Sequence, residues 1–338
     1  MSAAPIDHLL GQPSIGALRD PREVKTTLFE ILMCPTCKRS GLIQDQNTFL
    51  ECNCGSRFKK HQGILALRPK DKYKGTEGDL LDKPESNKYS QSGFVAGFTV
   101  RQYGGFLRYA ENASPLPNDP SSQQLAESNK RCEDFYRALL SLAVPYLDRE
   151  SVALDIGCGS GRLTGEMSRR SRLSIGIDFS PEMIKAASQI ILENKNTDIR
   201  LQIPFSNSQT YEATVAGWER SNCAFVIADC MTLPIAARSI DVITCANLLH
   251  RIADPQKAIN EIQRVLRPGG VLIVSNSYDW QKEFTNASDW FDSLTSVLSE
   301  SDWHLQEELD WVPFTTPIFQ RKTTTKYNHL QSFRKLGG

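Results

Sequence analysis

The sequence predicts an α/β protein, a mostly parallel sheet covered by helices on both faces, with a small cysteine-held module ahead of it. Three observations carry that prediction. From residue 151 onward, short apolar runs alternate with runs of helical periodicity. A glycine cluster separates the first of those apolar runs from the helix-like run after it. Four of the nine cysteines fall within 21 residues near the N-terminus.

Taken in order, residues 1–28 carry Gly and Pro without clear periodicity and read as an arm. The cysteine module follows at 29–68, and a polar, Gly/Pro-punctuated stretch at 69–92 reads as a linker. Residues 93–338 then form the larger domain. It opens with a helical cap, in which Asn129–Leu147 places apolar residues three and four apart. Strand-like runs follow at Ser151–Ile156, Leu173–Ile177, Cys223–Ala228, Ile240–Cys245 and Gly270–Ser275. Helices are expected at Arg162–Arg170, at Pro181–Glu193 with Ser180 as cap, and at Pro255–Leu266. Residues 194–220 exceed what a strand–helix connection needs and read as an insertion. The β-branched and aromatic runs Trp311–Pro317 and Thr323–Phe333 are expected to pair as a terminal hairpin.

Composition narrows the function. With 40% hydrophobic residues the chain is not disordered, and no run approaches the ~18–20 apolar residues that cross a bilayer. The N-terminus lacks a basic region followed by an apolar core, so a cytoplasmic chain without membrane contact is expected. Basic and acidic residues number 39 each, which argues against a protein that simply coats nucleic acid. The charge is uneven, however: Phe29–Lys74 holds nine Lys/Arg against four Asp/Glu, and residues 320–338 hold five against none.

The stretch VALDIGCGSGR, Val152–Arg162, puts Gly157, Gly159 and Gly161 where an open α/β sheet binds a nucleotide-like ligand. A dinucleotide fingerprint fails here, because its sixth position is Arg162. Asp155 would repel a pyrophosphate but suits a cation, and S-adenosylmethionine carries an ammonium and a sulfonium. Asp178 ends the next strand, placed to accept from both ribose hydroxyls, and Phe179 and Met183 are placed to flank the adenine. Asp229 follows the third strand with Cys230 beside it, and Asn247 follows the fourth. The expected cofactor contacts are therefore Asp155, Gly157, Cys158, Gly159, Gly161, Asp178, Phe179, Met183, Asp229, Cys230 and Asn247. Asn247 and Tyr278 are expected to orient the methyl acceptor, while His250 reads as a packing or surface residue.

DIGCGSGR, GIDFSPEMI, ADCMTLPIAARSIDVITCANLLHRIADP and RVLRPGGVLIVSNSY resemble the successive motifs of the class I S-adenosylmethionine-dependent methyltransferases. That resemblance implies a Rossmann-like sheet of seven strands with an antiparallel final strand. A narrower resemblance, in Asn247, Leu248, Arg251, Asp254, Pro255, Tyr278, Trp280, Glu283, Phe284, Thr285 and Trp290, is to the methyltransferase of ovothiol synthesis. It implies a small mercaptohistidine-like acceptor methylated on nitrogen. The glycine loop is generic by comparison, and that family does not usually carry a cysteine module.

Cys34-x2-Cys37 and Cys52-x-Cys54, fourteen residues apart, can close a tetrahedral four-thiolate site, so a structural zinc is expected there, with His61 as the nearest substitute ligand. The module is similar to the zinc-ribbon activator domains that accompany methyltransferases of tRNA and translation factors, and to the ribbons of ribosomal RNA guanine methyltransferases. Two further functions follow from it: methylation of rRNA or tRNA with the ribbon reading RNA, and a non-catalytic zinc adaptor of methyltransferase fold.

Overall fold

Val152, Ala153, Leu154 and Ile156 leave Asp155 as the one polar residue in a five-residue run, and all five are buried in strand β6 (Val152–Ile156). Burial on both faces makes such a run a central parallel strand. It pairs in parallel with β7 (Leu173–Asp178) on one side and β11 (Ile240–Ala246) on the other. The structure, a computed structural model, describes residues 21–40, 42–45, 49–61, 63–68, 92–103, 107–109, 120–193, 201–206, 209–215, 222–319 and 322–337.

Outward from β6, β10 (Cys223–Ala228) pairs with β7, and β12 (Leu266–Asn276) pairs with β11, both in parallel. β14 (Lys322–Lys335) joins β12 antiparallel, and β13 (Trp303–Phe319) closes that side as the other half of a long hairpin. These are the seven strands expected, final antiparallel strand included, but the sheet does not end there. β4 (Ile64–Leu67), the last strand of the cysteine module, adds in parallel to β10 with Ala228 opposite Leu67. Through it β3 (Arg57–His61), β2 (Phe49–Cys52) and β1 (Leu42–Asp45) extend the sheet to eleven strands. An open β10 edge would present a row of unpaired backbone groups, and β4 covers it.

The module also shares the core. Helix α1 (Pro21–Ile31) buries Val24 and Leu28, which belong with Leu32, Leu50, Phe58 and Leu67 to the same apolar cluster as Leu154, Val226 and Ile243. Main-chain bonds from Met33 to Pro234 (2.9 Å) and from Ala236 to Ile31 (2.7 Å) fasten it further. The module and the larger domain, placed on either side of an expected linker, therefore share one core. Residues 1–20 of the expected arm and 69–91 of the expected linker lie outside the described residues.

Helix α2 (Ser92–Tyr103) and helix α3 (Pro120–Ala143) form the cap, α3 running on into a single 3-10 turn at Val144–Tyr146. The glycine loop leads into α4 (Arg162–Met167). α5 (Pro181–Ile191) begins at Ser180, whose hydroxyl accepts from Met183 N, and α6 (Pro255–Val265) begins at Asp254, whose carboxylate accepts from Lys257 N. The expected insertion supplies β8 (Leu201–Ser206) and β9 (Gln209–Val215), which with β5 (Leu107–Tyr109) make a separate three-stranded sheet.

Candidate functional site

The carboxyl ends of β6, β7, β10 and β11 open onto one cavity of about 710 Å³. Its wall contains Asp155, Gly157, Cys158, Gly159, Asp178, Phe179, Met183, Asp229, Cys230 and Asn247. Residues chosen from four separate strand ends are therefore brought to one place. Gly161 and Tyr278 are not in that wall.

Gly161 serves packing instead. At φ +89° it precedes α4, and a Cβ there would meet Ala187 and Ile191 of α5 at 2.9 Å. Gly159 (φ +56°) is demanded by the cap: a Cβ would stand 2.5 Å from the Phe98 ring of α2. The same helix grips the loop through Gln102 Nε2, which donates to Cys158 O (3.0 Å), and Tyr103 Oη, which donates to Ser160 O (2.8 Å). Arg162, 1% exposed, donates to Glu133 at 3.0 Å and ties the loop to α3.

The two strand-end acids of β6 and β7 brace this loop. Asp155 Oδ2 accepts from Thr164 N (3.0 Å) and Thr164 Oγ1 (2.8 Å), and its Oδ1 from Thr244 Oγ1 (2.9 Å). Burial pushes its carboxyl up to about 6 against those stabilising bonds. Both its oxygens are engaged inside the protein, so its effect on a cationic ligand is that of a nearby charge. Asp178 Oδ2 accepts from Gly159 N (3.0 Å) and Oδ1 from Ser180 N (2.8 Å), and burial raises its pKa too. A carboxylate offers about four lone-pair positions, so two bonds leave room for ligand hydroxyls. Asp229 Oδ1 accepts from Met231 N (2.9 Å), capping a 3-10 turn. The Cys158 and Cys230 thiols are raised by burial and act as wall atoms.

Asn247 stands in the left-handed region at φ +53°, which Asn tolerates better than most residues. Its Oδ1 is buried and has no hydrogen-bond partner among the described residues. Tyr278 (φ +50°) turns the other way: its hydroxyl meets His329 Nδ1 at 3.0 Å and its ring packs beside Phe291. Burial pushes its phenol up to about 12. Tyr278, expected to orient an acceptor, is not in the cavity wall; its N–H donates to Asn276 Oδ1 (2.8 Å), and the neighbouring Ser277 lines the cavity.

Away from the cavity, the sulfurs of Cys34, Cys37, Cys52 and Cys54 lie within 4.8 Å of one another. The pairs Cys34–Cys54 and Cys37–Cys52 stand at 3.8 and 3.6 Å. Four sulfurs each ~2.3 Å from a common ion at tetrahedral angles would lie ~3.8 Å apart, so the set fits zinc. His61 is not part of the cluster among the described residues.

Residues 154–274 match the family model described as "Methyltransferase domain". That stretch is similar to methyltransferase domains. An uncharacterized chloroplastic methyltransferase of Arabidopsis thaliana is 27% identical over 249 residues, covering 72% of this chain and 61% of the relative. A ubiquinone biosynthesis O-methyltransferase of Psychrobacter cryohalolentis is 31% identical over 122 residues, 36% of this chain and 39% of the relative. The chain thus spans less than two thirds of the length of these curated relatives. Among solved structures, the N-methyltransferase NodS of Bradyrhizobium japonicum aligns with a TM-score of 0.42 at 17% identity, covering 66% of this chain and all of that one.

Several residues around the cavity were not singled out from the sequence as site residues. Phe98, Arg101 and Gln102 come from α2, Phe135 and Tyr136 from α3, and Phe314, Thr316 and Lys326 from the terminal hairpin. His250, read from the sequence as packing, is 2% exposed and lines the cavity, with its Nδ1 unpartnered among the described residues. Burial and the Arg251 and Lys326 charges hold it down to about 4, so it is a neutral imidazole at physiological pH. Arg251 and Lys326 line the cavity and share one carboxylate, Asp279, whose pKa they lower against its own burial. Of the residues carrying the narrower resemblance, Leu248, Arg251 and Phe284 reach the cavity wall as Asn247 does. No helix among the described residues is long and apolar enough to cross a membrane.

Proposed function

We propose that this chain is an S-adenosylmethionine-dependent methyltransferase acting on a ring nitrogen of a small mercaptohistidine-like acceptor, with a structural zinc in its N-terminal module. The observation that carries the reading is the convergence of Asp155, Asp178, Asp229 and Asn247, from four strand ends, on one cavity that Arg251, Lys326 and aromatic rings also line. Acids at the carboxyl ends of parallel strands, around a largely apolar cavity, suit a ligand that carries hydroxyls and positive charge.

In this reading Asp178 holds the ribose, Phe179 and Met183 flank the adenine, Asp229 faces the adenine amino group, and Asn247 receives the ammonium. Bound S-adenosylmethionine supplies an electrophilic methyl group on a sulfonium. What remains for the protein is alignment and exclusion of water. The cap helix α2 and the Phe135, Tyr136, Phe284 and Phe314 rings offer a flat apolar enclosure for an aromatic acceptor. Neutral His250 is suited to accept an N–H from such an acceptor and hold its free nitrogen lone pair toward the methyl group. Arg251 and Lys326, two cations on one carboxylate, leave positive charge for an acceptor's own carboxylate. A neutral imidazole needs no base to expose its lone pair near pH 7, which agrees with the lack of a dyad among the lining residues.

The test is incubation with methyl-labelled S-adenosylmethionine against mercaptohistidine, histidine and total RNA in parallel. Label on the mercaptohistidine ring nitrogen is expected. Label in RNA alone would transfer the function to the ribbon-reading alternative, for which the exposed Arg57 and Lys59 of β3 would be the contact surface.

A further inference from the structure

Strand β4 brings more than edge protection. Leu67 sits in register with Ala228, so the next residues of these two parallel strands, Arg68 and Asp229, emerge side by side at the ligand-binding end of the sheet. Arg68 is only 4% exposed, and its guanidinium carbon stands 3.9 Å from the centroid of the Phe179 ring. Phe179 lines the cavity, whereas Arg68 is not among the lining residues. The guanidinium therefore backs the ring and does not enter the ligand space. A flat cation over an aromatic face in a desolvated setting is attracted to the ring and fixes its orientation.

We propose that Arg68 is a positioning residue through which the cysteine module sets affinity for the cofactor, by holding Phe179 in place and keeping positive charge beside Asp178. This rests on the cofactor reading given above. The Arg68 charge also opposes burial at the Asp178 carboxyl, favouring the ionised form that accepts hydroxyl hydrogen bonds. Arg68 is carried by the strand that follows β3, and β3 begins three residues after Cys54. A loosened four-cysteine cluster would loosen the β3–β4 hairpin and release the guanidinium from the ring. The ribbon would then act on the active site from within the same sheet.

The experiment is calorimetric titration of S-adenosylhomocysteine into the full chain, in wild type, Arg68→Met, Arg68→Lys, Phe179→Leu and the Arg68→Met/Phe179→Leu double variant. Arg68→Met is expected to weaken binding about tenfold, ~1.4 kcal/mol. Arg68→Lys, which restores the charge without the flat stacking surface, should recover about half of that loss on the free-energy scale. The double variant should lose clearly less than the sum of the two single losses, because most of the Arg68 effect acts through Phe179. A merely structural role would lower the melting temperature of ligand-free protein while leaving the affinity of the folded fraction unchanged, and that result overturns the proposal. Fully additive losses overturn it as well. Should Arg68→Met fail to fold, Arg68→Lys decides alone: a loss of about threefold supports the proposal, and unchanged affinity overturns it. Wild type that does not bind S-adenosylhomocysteine refutes the cofactor reading itself, a distinct result from either.

Discussion

Replacing Asp178 by Ala removes a carboxylate that does two things at once. Its oxygens accept from Gly159 N at 3.0 Å and Ser180 N at 2.8 Å, holding the glycine loop against the start of α5. In the proposed complex the same carboxylate also accepts from the ribose. Hydrogen bonds to a charged group contribute about 1.5–3 kcal/mol, so the loss for the ligand corresponds to about a ten- to hundredfold fall in affinity. In the ligand-free protein two N–H donors lose their partner at about 1–3 kcal/mol each, offset in part by no longer burying a charge. A net destabilisation of about 2 kcal/mol is expected, and at ~2–4 °C per kcal/mol that lowers the melting temperature by about 4–8 °C. Asp178→Asn should resemble Ala, since an amide NH2 cannot accept from the second backbone donor. Calorimetric titration with S-adenosylhomocysteine at a temperature where both variants are folded reads the affinity directly. A folded Asp178→Ala protein that binds as tightly as wild type would refute the assignment of β7's end to the ribose.

Two buried groups should give opposite pH slopes in the ligand-free protein. Asp155 in the folded state titrates near 6, above the ~3.9 of an unfolded chain, so its contribution to stability is full below about pH 4 and is lost as pH rises toward 6. His250 titrates near 4 when folded against ~6.5 unfolded, so its contribution is lost as pH falls from 6.5 to 4. Denaturation midpoints across pH 4–7 should therefore show a steeper acid loss in Asp155→Asn and a shallower one in His250→Phe, and equal curves for both would contradict these assignments. Tyr278→Phe, which removes the bond to His329, should cost about 0.5–1.5 kcal/mol of stability and leave turnover within about twofold, whereas a large selective fall in kcat would return Tyr278 to the site. Purified protein should contain one zinc per chain, and chelation should lower the melting of the whole eleven-stranded sheet in one transition, because the module shares its core. Two well-separated transitions in calorimetry would show that β4 does not couple them.

The parallel sheet was legible because its strands are mostly apolar runs followed by a glycine or a polar residue. Cys223–Ala228 appears at the expected boundaries, and Ser180 caps α5 as its chemistry requires. The strand-end acids were equally readable, since a charged residue at the end of a buried run stands out. What was not readable is contact between distant segments. ILAL at 64–67 is as good a hairpin strand as a sheet edge, and only the fold decides that it pairs with β10. Helix α2 is apolar on nearly all sides, so its sequence shows no face that announces a lid over Gly159. Lys326 enters the cavity from a hairpin some seventy residues beyond Arg251, and no local pattern links them. Tyr278 is absent from the cavity wall at a left-handed turn that is rare for a tyrosine and that no sequence pattern announces.

The central claim, methyl transfer to a small nitrogen acceptor in the cavity between β6, β7, β10, β11 and the cap, is tested most directly by transfer of the labelled methyl group. Wild-type protein, once its binding of S-adenosylhomocysteine has been verified, would be incubated with methyl-labelled S-adenosylmethionine and mercaptohistidine, and the product resolved by mass and by proton NMR. The expected result is one labelled methyl group per acceptor, on an imidazole nitrogen, with the His250→Phe variant slower at unchanged cofactor affinity. Binding of the cofactor with no label on mercaptohistidine, and label appearing in RNA instead, would contradict it.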